Sequence, residues 1–257
     1  MRERFKIPSV DIRLLVRDSL KEMPDPARRI FLRGGLSLGA LTMIAGCDVV
    51  DERSAEKLLR RVSRFNDRAQ AFLFNPQKLA PTYRESDITR PFPFNAYYSR
   101  AMAPRVDGAS FRLMVGGRVE NKARWTLEEL YALPQFTQIT RHICVEGWSA
   151  IGSWTGASLR EFLVRVGADL GSKYVFFRCA EGYYTSIDMP TALHPQTQMT
   201  FKFAGETLPA IYGFPMKIRM PTKLGFKNPK HVGEIVVTND WMGGFWEDQG
   251  YNWFSGS

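Results

Sequence analysis

Apolar residues recur at helical spacing over residues 54–74, where Leu58, Val62, Phe65, Ala69 and Phe72 share one face of an amphipathic helix. The spacing predicts a packing or tethering helix. Pro76, Pro81, Pro91 and Pro93 then punctuate an extended stretch, which reads as a linker running onto a domain surface. From about residue 94 short runs of strand character alternate irregularly with short helices. Phe111–Val119, Gln138–Ile143, Tyr174–Ala180 and Val232–Thr238 read as strands, the first interrupted by Gly116 and Gly117. Thr126-Leu127-Glu128-Glu129 and Ser158-Leu159-Arg160-Glu161 have the form of capping boxes, a hydroxyl followed three residues later by a carboxylate. They open helices that end near Leu133 and Val166. The pattern predicts an α+β domain with mixed sheets and short helices over 94–257, and argues against a regular doubly wound sheet.

The first 47 residues differ in character. They hold nine Lys/Arg and five Asp/Glu, almost half of the chain's net charge of +9. Arg28 and Arg29, followed by Ile30-Phe31-Leu32-Arg33, precede an uncharged run from Gly34 to Gly46 that ends at Cys47. That run is too short to span a bilayer as a helix, which needs about 20 residues. Gly34, Gly35, Gly39 and Gly46 would also weaken a buried helix. The segment resembles a twin-arginine export signal. Ile44-Ala45-Gly46-Cys47 resembles a lipobox, in which Cys47 becomes the lipidated first residue of the mature chain. Asp48 after it reads as a signal for retention at the inner membrane. The expected organisation is an export signal over 1–47, a helix and linker over 48–93, and a catalytic domain over 94–257. Twin-arginine export carries proteins that have already folded, often around a cofactor, so the address implies a periplasmic domain that holds one.

The 257 residues, 44% hydrophobic and 24% charged, allow one sizeable domain and exclude a disordered tail, a fibre and a multi-span membrane protein. Three cysteines are too few for a disulfide scaffold. With so much of the positive excess in the leader, the charge does not indicate nucleic acid. No histidine pair has zinc-ligand spacing. Gly-rich nucleotide loops, a Ser-His-Asp signature and haem-attachment motifs are also missing from the sequence.

The candidate chemistry begins at Cys144, at the end of a strand in Arg141-His142-Ile143-Cys144-Val145-Glu146-Gly147-Trp148. A thiolate there needs a nearby cation or metal. Taken alone, an inert buried thiol is the better reading. Between Glu206 and Glu234 lie five Lys/Arg, one His and no acid, interleaved with Gly and Pro. Such a run is either a phosphate cradle or a solvated basic face. His194-Pro195-Gln196 reads as a turn held by the histidine. Residues 239–257 carry Trp241, Phe245, Trp246, Tyr251, Trp253 and Phe254 with only acidic charges. They read as packed on the domain, with a partner-docking surface as the alternative.

Together, Cys144-Val145-Glu146-Gly147-Trp148, Trp154-Thr155-Gly156 and Leu159 with Phe162-Leu163 resemble the core of the sulfite-oxidase-type molybdopterin oxidoreductases. They resemble most closely the catalytic subunit of the bacterial periplasmic methionine sulfoxide reductases. The resemblance covers roughly residues 92–240 and implies the sulfite-oxidase-type fold. It implies that Cys144 is the one protein ligand of molybdenum, the pterin dithiolene and oxo groups supplying the others. The basic run matches the family's pterin-phosphate segment, which implies cofactor contacts from Tyr212, Lys217, Asn228, Pro229 and Lys230. Tyr212 stands where the family usually has His or Asn, and Lys217 where it often has Arg, whose bidentate fork a lysine cannot make. Asn95, Tyr98 and Ser99 match an early cofactor-touching segment. Cys179 stands where relatives carry a cofactor-contacting Thr, and a Cys144–Cys179 disulfide would destroy the metal site. Tyr183 or Tyr184 would supply a catalytic hydrogen bond on the substrate side.

The protein so implied is an exported molybdenum-molybdopterin oxidoreductase. It would carry out two-electron, oxygen-atom-transfer chemistry on a small S- or N-oxide or a sulfite-like substrate. It would exchange electrons with a membrane or periplasmic redox partner such as a b-type cytochrome. It is expected to be a monomer, since no length remains for the immunoglobulin-like dimerisation domain of sulfite oxidases. The rival reading is a non-catalytic exported lipoprotein that keeps the fold as a binding module.

Overall fold

Alternation of buried and exposed side chains builds two five-stranded sheets among the residues that the computed structural model describes, 52–257. The export signal and lipobox expected over 1–47, Cys47 included, lie outside the described residues. In the first sheet the order is β2-β1-β10-β5-β6. Strand β1 (Arg112–Gly117) runs parallel to β10 (Val232–Thr238), and the other neighbours, β2 (Arg124–Thr126), β5 (Tyr174–Cys179) and β6 (Tyr184–Asp188), pair antiparallel. The second sheet is antiparallel: β3 (Gln135–Ile143), β4 (Ser149–Ser158), β7 (Gln198–Phe203) and β8 (Glu206–Thr207), with β9 (Lys217–Arg219) also on β7. Parallel and antiparallel pairs mixed with short helices make this the α+β architecture expected.

Leu113 and Val115 of β1, Val175 and Phe177 of β5, Ile235 and Val237 of β10, and Met199 and Phe201 of β7 share one core. Leu159, Phe162 and Leu163 of helix α3 (Leu159–Arg165) join it. A second, aromatic cluster of Phe92, Trp154, Tyr212 and Phe203 lies on β4 and the segments beside it. Both caps form. The Glu129 carboxylate accepts from the Thr126 N–H at 2.7 Å while the Thr126 hydroxyl accepts from the Glu129 N–H at 3.1 Å, opening α2 (Leu127–Tyr131). The Ser158 hydroxyl accepts from the Glu161 N–H and opens α3. Gly156 explains part of the Trp154-Thr155-Gly156 motif, because β4 crosses β7 so closely there that a Cβ would sit 1.9 Å from the Met199 carbonyl oxygen. A short α4 (Met189–Ala192) follows β6.

Helix α1 (Glu52–Leu73) forms where the periodicity places it, but the stripe does not pack inward. Leu58, Val62, Phe65 and Phe72 are 59, 56, 73 and 88% exposed. The other side of the helix is bound instead: Asp67 accepts from the Phe254 N–H at 2.7 Å, and Gln70 exchanges hydrogen bonds with Asn252 and Gly256. The proline-punctuated stretch runs along β3 and β4, where the Tyr83 N–H donates to Ile139 O and the Thr89 N–H to Ile151 O. His194 holds its turn, Nδ1 accepting from the Gln196 N–H and Nε2 facing Lys78 O at 3.1 Å. No helix among the described residues is long and apolar enough to cross a membrane.

Candidate active site

Cys144 opens the loop between β3 and β4. Its N–H donates to Trp148 O at 2.9 Å and its carbonyl accepts from the Gly147 N–H, so Cys-Val-Glu-Gly-Trp closes a turn on itself. The turn aims the thiol into a cavity of about 140 Å³ whose walls come from five separate stretches of chain. Asn95 to Tyr98 form one wall, Cys144 to Glu146 another, and Glu181 with Tyr183 a third. Gly225 to Lys230, then Trp246 and Tyr251, complete it.

Burial pushes the Cys144 thiol above its ordinary range. The neighbouring carboxylate of Glu146 does the same; its Oε2 lies 3.6 Å from the sulfur and accepts from the Trp148 indole at 2.9 Å. Unaided, Cys144 is a thiol, and only a bound metal or a closer cation would hold it as a thiolate. Among the described residues no cluster of three or more His, Cys, Asp or Glu could hold a metal ion, so a metal at Cys144 would take its other ligands from a cofactor.

The basic run is not a solvated face. Lys217, Arg219, Lys223, Lys227, Lys230 and His231 are all buried. Their partners divide them. Lys227 pairs with Glu247 and donates to Ser186 O, and Lys223 donates to Phe254 O, so these two brace the C-terminal segment. Arg219 donates to Asn228 Oδ1 and Arg141 O. Lys230 donates to Asn95 O at 2.6 Å and Ile211 O at 2.8 Å, which fastens the Asn95 segment to the cavity. Lys217, 2% exposed, has only the face of the Trp154 ring, 5.0 Å from its ammonium, and no carboxylate partner among the described residues. Burial, with Lys230 and Arg219 nearby, holds it well below the usual lysine range. Gly213, at φ +117°, separates the two lysines; a Cβ there would meet Lys230 Cβ at 3.0 Å and Lys217 Cβ at 3.2 Å. A buried, unpaired cation beside a second one is the donor set that a dianionic phosphate neutralises.

Two further buried polar atoms lack partners, one in the cavity wall and one on the neighbouring His142. Glu181 Oε2 is buried with no hydrogen bond, and burial raises that carboxyl to about 7. His142 Nε2 lies 3.2 Å from the Asn95 amide, leaving a buried Nδ1 without a partner. Tyr98 O–H meets His231 Nε2 at 3.1 Å.

Of the residues singled out in the sequence, Asn95, Tyr98, Cys144, Tyr183, Asn228, Pro229 and Lys230 converge on the cavity. Five others do not line it. Ser99 is exposed at the start of a 3₁₀ turn, and Tyr212 spends its hydroxyl on Phe92 O within the aromatic cluster. Lys217 sits behind Gly213. Cys179 is a free thiol in the main core, held high by burial. Tyr184 donates to Asp248 at 2.6 Å, because consecutive residues entering β6 point to opposite sides. Tyr183 faces the cavity with its ring, but its hydroxyl donates to Phe226 O at 2.6 Å. Sequence reasoning passed over Tyr97, Glu146, Glu181, Trp246 and Tyr251. Glu146 stood inside the cysteine motif and Glu181 next to the chosen tyrosines. The last two lay in the aromatic tail, which is packed on the domain through Trp253 and Phe254 and also walls the cavity.

A model of the oxidoreductase molybdopterin binding domain matches residues 100–246, more than half of the chain. The chain belongs to this family. The molybdopterin-binding chain is 62% identical over 232 residues to a putative protein-methionine-sulfoxide reductase subunit, YedZ1, of Azospira oryzae, covering 90% of this chain and 88% of that one. It is 33% identical over 150 residues to the protein-methionine-sulfoxide reductase catalytic subunit MsrP of Xanthomonas axonopodis pv. citri, spanning 52% of this chain and 47% of the relative. The fold also resembles the sulfane dehydrogenase SoxCD of Paracoccus pantotrophus, with a TM-score of 0.51 at 20% identity over 54% of this chain and 40% of that one. The protein is therefore a molybdopterin-dependent oxidoreductase of sulfite-oxidase-type fold, with a molybdenum-molybdopterin cofactor. The residues fit that group: a buried thiol and the buried Lys230 cation line the cavity, Lys217 adds a second buried cation next to Lys230, and Glu181 Oε2 has no partner.

Proposed function

We propose that this molybdopterin oxidoreductase reduces small S-oxides of the methionine sulfoxide type in the periplasm. The observation that carries the reading is the Glu181 carboxyl, its Oε2 buried without a hydrogen bond in the same cavity as the Cys144 thiol, where burial raises its proton affinity to about 7. Reducing a sulfoxide to a thioether consumes two electrons and two protons and releases water. The bound cofactor supplies the two-electron exchange. The chain's own residues do the rest. Cys144 would hold the metal and Lys230 would face the pterin phosphate, with the buried charge of Lys217 next to it. Asn95 is pinned by Lys230 and orients the near wall. Glu181 hands over a proton, which a carboxyl near 7 can do at working pH. Tyr97, Trp246 and Tyr251 line the wall with aromatic faces, surroundings that suit a polarisable thioether.

The relatives' names support a sulfoxide over an N-oxide or sulfite. The electrons would come from a membrane or periplasmic carrier such as a b-type cytochrome. Arg28 with Arg29 and the lipobox at Cys47 support export and an inner-membrane lipid anchor. Molybdenum-loaded protein should oxidise reduced viologen dye with methionine sulfoxide. Activity confined to sulfite with ferricyanide would overturn the substrate assignment. Fractionation of wild type beside Cys47→Ala tests the anchor, since only the wild type should stay with the membrane.

A further inference from the structure

Helix α1 is held to the domain by its polar side. Asp67 and Gln70 bind the backbone and side chains of 252–256, while Val62, Phe65 and Phe72 face away, 56, 73 and 88% exposed. At 3.6 residues per turn these three and Ala69 form one stripe, and Asp67 and Gln70 lie on the far side. Arg61, Arg64 and Arg68 run along one flank of the stripe. All three are exposed, and none pairs with a carboxylate among the described residues.

A helix of a globular domain normally buries its apolar stripe. Here the helix is docked and the stripe is left over as a convex ridge, not a groove that would receive another helix. An apolar ridge beside an arginine row matches the two layers of an anionic bilayer surface, phosphate outside and acyl chain beneath. We propose that α1 lies flat on an anionic membrane. Val62, Phe65 and Phe72 enter the acyl boundary, and Arg61, Arg64 and Arg68 bind lipid phosphates. Because α1 is tied to residues 252–256, next to the cavity wall at Trp246 and Tyr251, this contact holds the active-site domain at the surface independently of any lipid on Cys47.

The test uses the full, cofactor-loaded chain carrying Cys47→Ala, so that no acyl chain contributes and failure of the anchor reading does not bear on the result. Binding is measured by cosedimentation with vesicles of phosphatidylglycerol and phosphatidylethanolamine, and with vesicles of phosphatidylcholine alone. Arg61→Gln/Arg64→Gln/Arg68→Gln should weaken binding to the anionic vesicles about a hundredfold, at about 1 kcal/mol per arginine near such a surface. Phe65→Ser/Phe72→Ser should weaken it at least about tenfold. Both variants should keep the parent's circular dichroism and its activity with a soluble dye, since all five side chains are exposed. Two outcomes would overturn the proposal. If both variants bind like the parent, another surface or residues 1–51 make the contact. If the parent binds neither vesicle, the stripe is covered by protein.

Discussion

Lys217→Met separates a cofactor-binding cation from a structural one, because its two expected effects have opposite signs. The Lys217 ammonium is buried, unpaired by any carboxylate among the described residues, and faces only the Trp154 ring at 5.0 Å. Holding an isolated ammonium out of water costs several kcal/mol, of which a cation–π contact returns about 2. Methionine keeps the length and volume and removes the charge. In cofactor-free protein the variant should therefore be about 1–4 kcal/mol more stable than wild type. For a chain of this size each kcal/mol raises Tm by about 2–4 °C. In the loaded protein the same change removes a buried positive charge next to the cavity-lining Lys230, which should weaken cofactor affinity by up to about tenfold, or about 1.4 kcal/mol. The assay is thermal unfolding of protein from hosts with and without molybdopterin synthesis, with molybdenum per chain measured alongside. A cofactor-free variant less stable than wild type, with molybdenum content unchanged, would refute the reasoning.

Cys144→Ser should reduce turnover to background while near-ultraviolet circular dichroism stays native, because the turn around Cys144 is made by backbone hydrogen bonds; full activity would remove Cys144 as the metal ligand. Glu181 has a folded value of about 7, raised by burial from 4.5. Below 4.5 both folded and unfolded chains carry the proton, and between 4.5 and 7 the unfolded chain ionises first. Stability of the cofactor-free protein should therefore fall as pH rises through that window, by up to about 3 kcal/mol, and urea unfolding of Glu181→Gln should show that slope reduced. Thr126→Ala removes the accepting hydroxyl of the α2 cap and should lower stability by about 1 kcal/mol in urea without changing molybdenum content.

Local rules made several elements legible. The two N-caps, the strands at Gln138, Tyr174 and Val232, and the turn held by His194 depend on residues within a few positions of one another, so spacing alone reveals them. The cysteine motif was legible for the same reason. Its five residues close a loop on themselves, while Gly156 is required at the one point where β4 crosses the Met199 carbonyl of β7. The basic run was legible as chemistry but not as geometry. Five lysines and arginines in sequence look alike, and only the fold shows that Lys223 and Lys227 brace the C-terminal segment while Lys217 has no carboxylate partner. Glu181 carries no signal in sequence, since its raised proton affinity comes from burial beneath residues distant in the chain. The apolar periodicity of α1 correctly marked a helix, but periodicity specifies which residues share a face and not what that face meets. Asp67 and Gln70 decided that by bonding to residues 252–256, more than 180 positions away. Contacts of that range are set by which segments the sheets bring together, and that is where tertiary structure and not local sequence assigned each side chain its partner.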